Sequence, residues 1–344
     1  MQMNEKYVLV TGGAGFIGSN WIWNLLMQYR NVNVVNLDSM ELDICYENNE
    51  ELTREFPTRY YHIQGRVEDW EQVRTIFTLY PIEMVFHFAA ESHVDRSLKD
   101  PFRCVRINME GTLTLLEACR EFWKSREDKL FFYAGTDEVF GDKVWAEEDS
   151  PYRPSSPYSA SKAGAMCLIN AYQRTYDLPV LVFNSTNVYG PRQDFSKLIP
   201  KTILNAYLQR PVPVYGKGEQ RRSWLYIGDY CAALHRLLKL YRKKGKSILG
   251  TYNIGNAAFT LSVQNLELVK LICHLVDEFE GDAEREKLIK FVPDRPGHDW
   301  EYRLCCLKIR TTTGWEPKLS LVEGLRVTVK WYLSRLKNRM ANNA

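Results

Sequence analysis

The chain has 344 residues, 45% of them hydrophobic, enough to bury one large core or two cores in contact. Its 45 basic and 42 acidic residues nearly cancel to a formal charge of +3, which gives no footing for nucleic acid or a membrane surface as partner. No apolar run approaches the roughly 20 residues that span a bilayer. With no signal peptide ahead of the first strand, a cytoplasmic protein is expected.

Taken in chain order, Tyr7–Val10 is predicted as a buried strand, followed by a glycine-rich turn and a helix over Ile17–Gln28. Val32–Leu37 is the second strand, and the polar stretch Ser39–Arg59 reads equally as helix or loop. Helix Trp70–Leu79, strand Met84–Phe88, helix Ile107–Phe122 and strand Leu130–Ala134 continue the alternation. Helix Tyr158–Tyr176 and strand Val180–Phe183 close it. Such alternation implies right-handed crossovers and an α/β, Rossmann-like doubly wound parallel sheet. Residues 1–190 are therefore assigned to this unit, with Tyr252–Gly255 predicted as a late strand, near 251–255, returning to it.

From 191 to 344 the character changes. Pro191, Pro200, Pro211 and Pro213 break the chain, and Gly216 and Gly218 mark a turn. Helices are predicted near Asn265–Phe279 and Leu321–Leu336, in a smaller, loop-rich C-terminal lobe that closes over a substrate. The basic run Arg242–Lys244, with Lys246, reads as a solvated helix end. The eight cysteines have no metal-ligand spacing, so reduced, buried thiols and no metal are expected.

Two stretches carry chemistry. Gly12, Gly15 and Gly18 fall in a Gly-x-x-Gly-x-x-Gly turn between strand and helix, where backbone amides and the helix N-terminus, with Phe16 and Ile17, can hold a pyrophosphate. Asp38 follows Gly18 by 20 residues, placed to bind a ribose 2′-hydroxyl and favour NAD, although a strand-end cap also suits an aspartate there. The second stretch is Thr136-Asp137-Glu138 together with Tyr158 and Lys162. The last two are four apart and share a helix face, where an ammonium can lower the phenol's pKa. A neighbouring acid and base can strip one proton and protonate a leaving hydroxyl.

Together these motifs resemble the extended short-chain dehydrogenase/reductase family, and within it the nucleotide-sugar 4,6-dehydratases of the dTDP-glucose type. The likeness extends through His87–Ser97, Asn187–Gln193, Lys197–Pro200, Arg222–Tyr226 and Asp294–Asp299. Sister 4-epimerases have small or hydroxylic residues at the positions of Asp137 and Glu138, and sister decarboxylases keep only the glutamate, so Asp137 discriminates. The chain departs at Gly65-Arg66-Val67, where the family usually has Gly-Asp-Ile with the aspartate facing adenine. It departs also at Gly135, Ser223 and Trp300-Glu301.

The resemblance implies a cycle on a nucleoside-diphosphate glucose with bound NAD. Tyr158 takes the C4 hydroxyl proton as hydride leaves C4, Lys162 assists it, and Thr136 binds the C4 oxygen. Glu138 removes the C5 proton, Asp137 protonates the C6 hydroxyl, and hydride returns to C6. Arg222 and Arg295 are the cations suited to the diphosphate, with Lys197 adding charge; Ser92, His93, Asn187 and His298 fall on the substrate side. His87 reads as packing. Relatives imply a homodimer through the helices Ile107–Phe122 and Tyr158–Tyr176, with Leu113, Leu116, Cys167 and Tyr172 as its apolar surface. A UDP-glucose substrate, an epimerase or decarboxylase, and a catalytically silent NAD-binding sensor stay open as alternatives.

Overall fold

Strands buried along their whole length need cover on both faces, which is what helices between parallel strands supply. A computed structural model describes residues 6–142, 145–257, 261–281, 283–294 and 296–342. Its strands are β1 (Lys6–Thr11), β2 (Val32–Asp38), β3 (Tyr60–Gln64), β4 (Ile82–His87), β5 (Leu130–Thr136), β6 (Trp145–Ala146), β7 (Val180–Ser185), β8 (Asn187–Tyr189), β9 (Val212–Tyr215), β10 (Arg221–Tyr226), β11 (Gly250–Ile254), β12 (Ser262–Gln264), β13 (Ile289–Val292) and β14 (Arg303–Leu304). Seven of these form the main sheet. The helices are α1 (Phe16–Gln28), α2 (Asp43–Glu55), α3 (Trp70–Leu79), α4 (Val94–Lys99), α5 (Pro101–Val105), α6 (Gly111–Phe122), α7 (Pro157–Tyr176), α8 (Leu198–Tyr207), α9 (Ile227–Lys244), α10 (Asn265–Glu280), α11 (Leu307–Thr313) and α12 (Leu321–Asn342).

The main sheet runs β11-β7-β5-β4-β1-β2-β3 and every neighbouring pair is parallel. Strand order reverses between β1 and β4, so a crevice opens beyond their carboxyl ends. Thr11 lies level with both Leu37 and His87, and Thr136 with Ser185, which brings five strand ends to one rim. All seven residues of β2 and all six of β7 are buried. On one face α1 packs beside α2 and α9, with Trp21 4.6 Å from His235 between ring centroids; α3, α6 and α7 cover the other. Phe132 anchors the core between Phe86, Phe88 and Phe183, at 5.1–5.7 Å. A second apolar cluster joins α8, α10 and α12 around Ile203, Ile272 and Tyr332.

The predicted late strand is β11, hydrogen bonded to β7. Several local expectations change. The ambiguous stretch 39–59 forms α2, and β3 was not anticipated: of Tyr60–Gln64 only Tyr60 is buried, so this edge strand lacks a long apolar run. The helix expected from Ile107 starts with a π turn, Arg106–Glu110, continuous with α5. The basic run is the exposed last turn of a helix, as expected, but that helix, α9, reaches back 18 residues to Ile227. Leu116 is sealed in the core, so it cannot offer surface to a partner; Leu113 and Cys167 are exposed. The eight cysteines are free and seven are buried.

Candidate active site

One cleft, with about 370 Å³ of open volume, runs from the glycine turn along the strand ends to α8. At its first end Gly12 has φ +68°, and a Cβ there would meet the Ala89 nitrogen at 2.6 Å. A Cβ on Gly18 would lie 2.2 Å from the Gly12 carbonyl, so only glycine lets α1 start this close to β1. Gly15 is the residue before α1, and the first-turn amides of Phe16, Ile17 and Gly18 have no acceptor within the helix. Asp38 is buried and accepts hydrogen bonds from the Ala14 and Met40 amides at 2.9 and 3.0 Å, which fixes its carboxylate in the cleft wall. The strand-end cap leaves Asp38 able to accept a ribose hydroxyl as well, since each carboxylate oxygen accepts more than one bond. A bare helix end, a turn that excludes side chains and a carboxylate 20 residues on fit a dinucleotide.

The chemistry-bearing groups lie in the middle of the cleft. Ser156 caps α7 in a reciprocal pair with Ser159, and Pro157 opens the helix, so Tyr158 and Lys162 stand one turn apart on its buried face. The Tyr158 amide also donates to Ser97 Oγ at 3.2 Å. Thr136 ends β5 and accepts from the Glu138 amide at 3.3 Å, which starts the tight turn that carries Asp137 and Glu138. Asp137 is buried, and its Oδ2 finds no hydrogen-bond partner among the described residues. Burial, then the adjacent Glu138, pushes its carboxyl up to about 8. At neutral pH Asp137 holds its proton.

Lys162 behaves differently from the expected phenol-acidifying partner. Its Nζ donates to the Ala134 carbonyl at 2.7 Å and sits 4.1 Å from the Tyr133 ring centroid. Burial lowers Lys162 to about 7. Burial and the nearby Glu138 hold the Tyr158 phenol well above its ordinary range. In the free chain, desolvation outweighs the helix-face pairing that the spacing suggested.

The predicted substrate-side residues are not all brought together. Ser92, His93, Asn187 and Lys197 line the cleft. Lys197 donates to the Ser92 carbonyl at 2.9 Å, and burial lowers its amine to about 8. His93 lies 3.1 Å from Ser196 Oγ and burial drops it to about 4, so it is a neutral imidazole there. Arg222 is buried and donates to the Arg221, Trp300 and Asp299 carbonyls, stacked over Tyr302 at 4.6 Å, so its donors face backbone. His298 contacts Asp294 at 2.7 Å. Arg295 lies outside the described residues. His87 packs as expected, between Thr11 and Thr112 at 2.7 and 3.1 Å. Glu91 went unassigned at the sequence level, yet it is buried in the cleft wall and accepts from the His93 amide at 3.0 Å. Part of what holds it is distant in sequence, since its backbone amide donates to Asn108 17 residues away and its carboxylate faces Arg103 at 3.7 Å.

Residues 9–328 match the family model described as GDP-mannose 4,6 dehydratase. The chain belongs to this family, among the extended short-chain dehydrogenase/reductases that its motifs resemble. It is 43% identical to the dTDP-glucose 4,6-dehydratase of Neisseria gonorrhoeae, over 97% of this chain and 98% of that one. The crystal structure of DesIV, a dTDP-glucose 4,6-dehydratase from Streptomyces venezuelae with NAD bound, superposes with a TM-score of 0.82 at 33% identity, covering 96% of this chain and 98% of that one. A UDP-glucuronic acid 4-epimerase from Bacillus cereus superposes equally well, TM-score 0.83 at 26% identity over 96% and 99% of the two chains. Dehydratase and epimerase thus share one fold, and the site residues separate them.

Proposed function

We propose that this chain dehydrates a nucleoside-diphosphate glucose, dTDP-glucose by preference, to its 4-keto-6-deoxy sugar, with NAD held in the cleft between β1 and β4. One observation carries the reading: Asp137 is buried, has an unpartnered carboxyl oxygen and keeps its proton at neutral pH. An epimerase has no use for such an acid, whereas loss of water from C6 requires one. NAD+ bound in the cleft supplies a hydride acceptor for C4 and, once reduced, a donor for C6. With a nicotinamide cation bound beside it, the Tyr158 phenol would fall from its raised range and take the C4 hydroxyl proton, with Thr136 on the C4 oxygen. The resulting ketone acidifies C5, and Glu138 removes that proton. Asp137 protonates the C6 hydroxyl, which leaves as water, and a proton returned to C5 completes the product. Lys162, close under the strand end, suits the nicotinamide ribose.

The relatives' names favour dTDP over UDP. Incubation with each sugar nucleotide and no added NAD+, followed by the alkali-induced absorbance of the 4-keto product, tests the reading. A C4 epimer alone would make the chain an epimerase; NAD binding without turnover of either sugar would make it a sensor. We also infer that residues 1–190 with 251–255 serve the cofactor and 191–344 mainly the sugar nucleotide, in a cytoplasmic enzyme. Among the described residues no helix is long and apolar enough to cross a membrane. A homodimer through α6 and α7 is inferred from exposed Leu113 and Cys167 with half-buried Tyr172. A monomer mass by light scattering at micromolar concentration would remove it.

A further inference from the structure

Arg66 lines the adenosine end of the cleft, at the position where relatives usually have an aspartate. A guanidinium has five donors and no acceptor, so it cannot take a hydrogen bond from the adenine amino group. Its neighbours point to another role. Arg66 Nη2 lies 3.1 Å from Glu41 Oε1, and Nη1 lies 3.4 Å from Glu68. The second oxygen of Glu41 contacts Arg103, and Arg103 Nε lies 3.7 Å from Glu91 Oε2. These five residues come from the turns after β3, β2 and β4 and from α5, and all of them line the same cleft.

We infer that this chain of ion pairs is a strap across the adenosine half of the bound dinucleotide, in which Arg66 and Glu41 set how long NAD stays bound. The inference rests on the cofactor reading above. An isolated surface pair contributes little, because water competes for both charges. This series is anchored at one end on Glu91, which is buried and fixed by the His93 amide, while Glu41 is only 31% exposed. Linked pairs with one buried anchor hold their geometry better than separate ones. The strap also suits the chemistry, since the cofactor is reduced and reoxidised within each turnover and has no need to exchange. Through Glu91 and His93 it joins the adenosine end of the cleft to the sugar end.

The test follows release of NADH, by its fluorescence, from the full chain on mixing with excess NAD+. Glu41→Gln keeps the shape and removes the charge that bridges two arginines. Release is expected to be about 3- to 10-fold faster. Raising salt from about 0.05 to 0.5 M should speed release from the wild type and leave Glu41→Gln nearly unchanged. Arg66→Ala should also release faster, and the Arg66→Ala/Glu41→Gln double variant should show less than the product of the two single effects. Wild-type release rates in both single variants would overturn the strap. A wild-type chain that binds neither NAD+ nor NADH would instead overturn the cofactor reading beneath it.

Discussion

Replacing Asp137 with asparagine removes one proton donor and little else. With the carboxyl at about 8, about ten molecules in eleven carry the proton at pH 7, so the neutral amide of equal size changes no charge there. Folding should be kept, with a stability change within about 1 kcal/mol at that pH. Loss of a general acid typically slows its step by about 10²–10⁴-fold, or roughly 3–5 kcal/mol of barrier. Oxidation at C4 uses Tyr158, which the substitution leaves in place. Mixing the variant with dTDP-glucose should therefore build up enzyme-bound reduced nicotinamide, read by its absorbance, while the alkali-absorbing product appears slowly. Dehydration by the wild type should decline as pH rises through about 8, where Asp137 loses its proton. The folded chain holds this proton up to about 8, whereas an unfolded aspartate releases it near 3.8, so the group favours folding at low pH and this contribution is lost as pH rises through about 8. The asparagine variant lacks that dependence, and its melting temperature should vary less between about pH 5 and 8. Dehydration by Asp137→Asn at the wild-type rate would refute the reasoning and leave the buried carboxyl a structural role.

Tyr158→Phe should abolish hydride transfer, so no reduced nicotinamide appears on adding substrate, while Glu138→Gln should permit oxidation and stop exchange of the C5 proton with solvent, read by deuterium incorporation. Gly18→Ala places a Cβ 2.2 Å from the Gly12 carbonyl, so the turn must shift; NAD affinity measured by calorimetry should fall by at least about tenfold, and unchanged affinity would mean that the turn does not seat the pyrophosphate. Phe132→Ala opens a cavity among Phe86, Phe88 and Phe183 and should cost about 3–5 kcal/mol in denaturant unfolding.

Much of this molecule was legible in its residues taken alone. Short Val- and Leu-rich runs such as Val32–Leu37 read as strands covered on both faces, and β2 is buried throughout, Asn33 and Asn36 included. The glycine turn and the Tyr158–Lys162 spacing are local geometry, set by backbone angles and helical pitch, and local geometry survives in a sequence. Asp137 beside Glu138 was legible as a candidate acid and base, and the fold adds that Asp137 is buried with an unpartnered oxygen. What tertiary structure decided depends on distance in space. Arg222 read as a free cation, but its donors meet backbone carbonyls 77 and 78 residues away. Leu116 read as surface, but it is fully buried in the main core cluster. Lys162 read as the group that acidifies Tyr158; burial, which no spacing encodes, dominates both pKa values. The links among Glu41, Arg66, Arg103 and Glu91 cross four segments of chain, so no linear motif contains them. Desolvation and long-range charge pairing arise only when the chain has closed on itself, and there the sequence by itself stops.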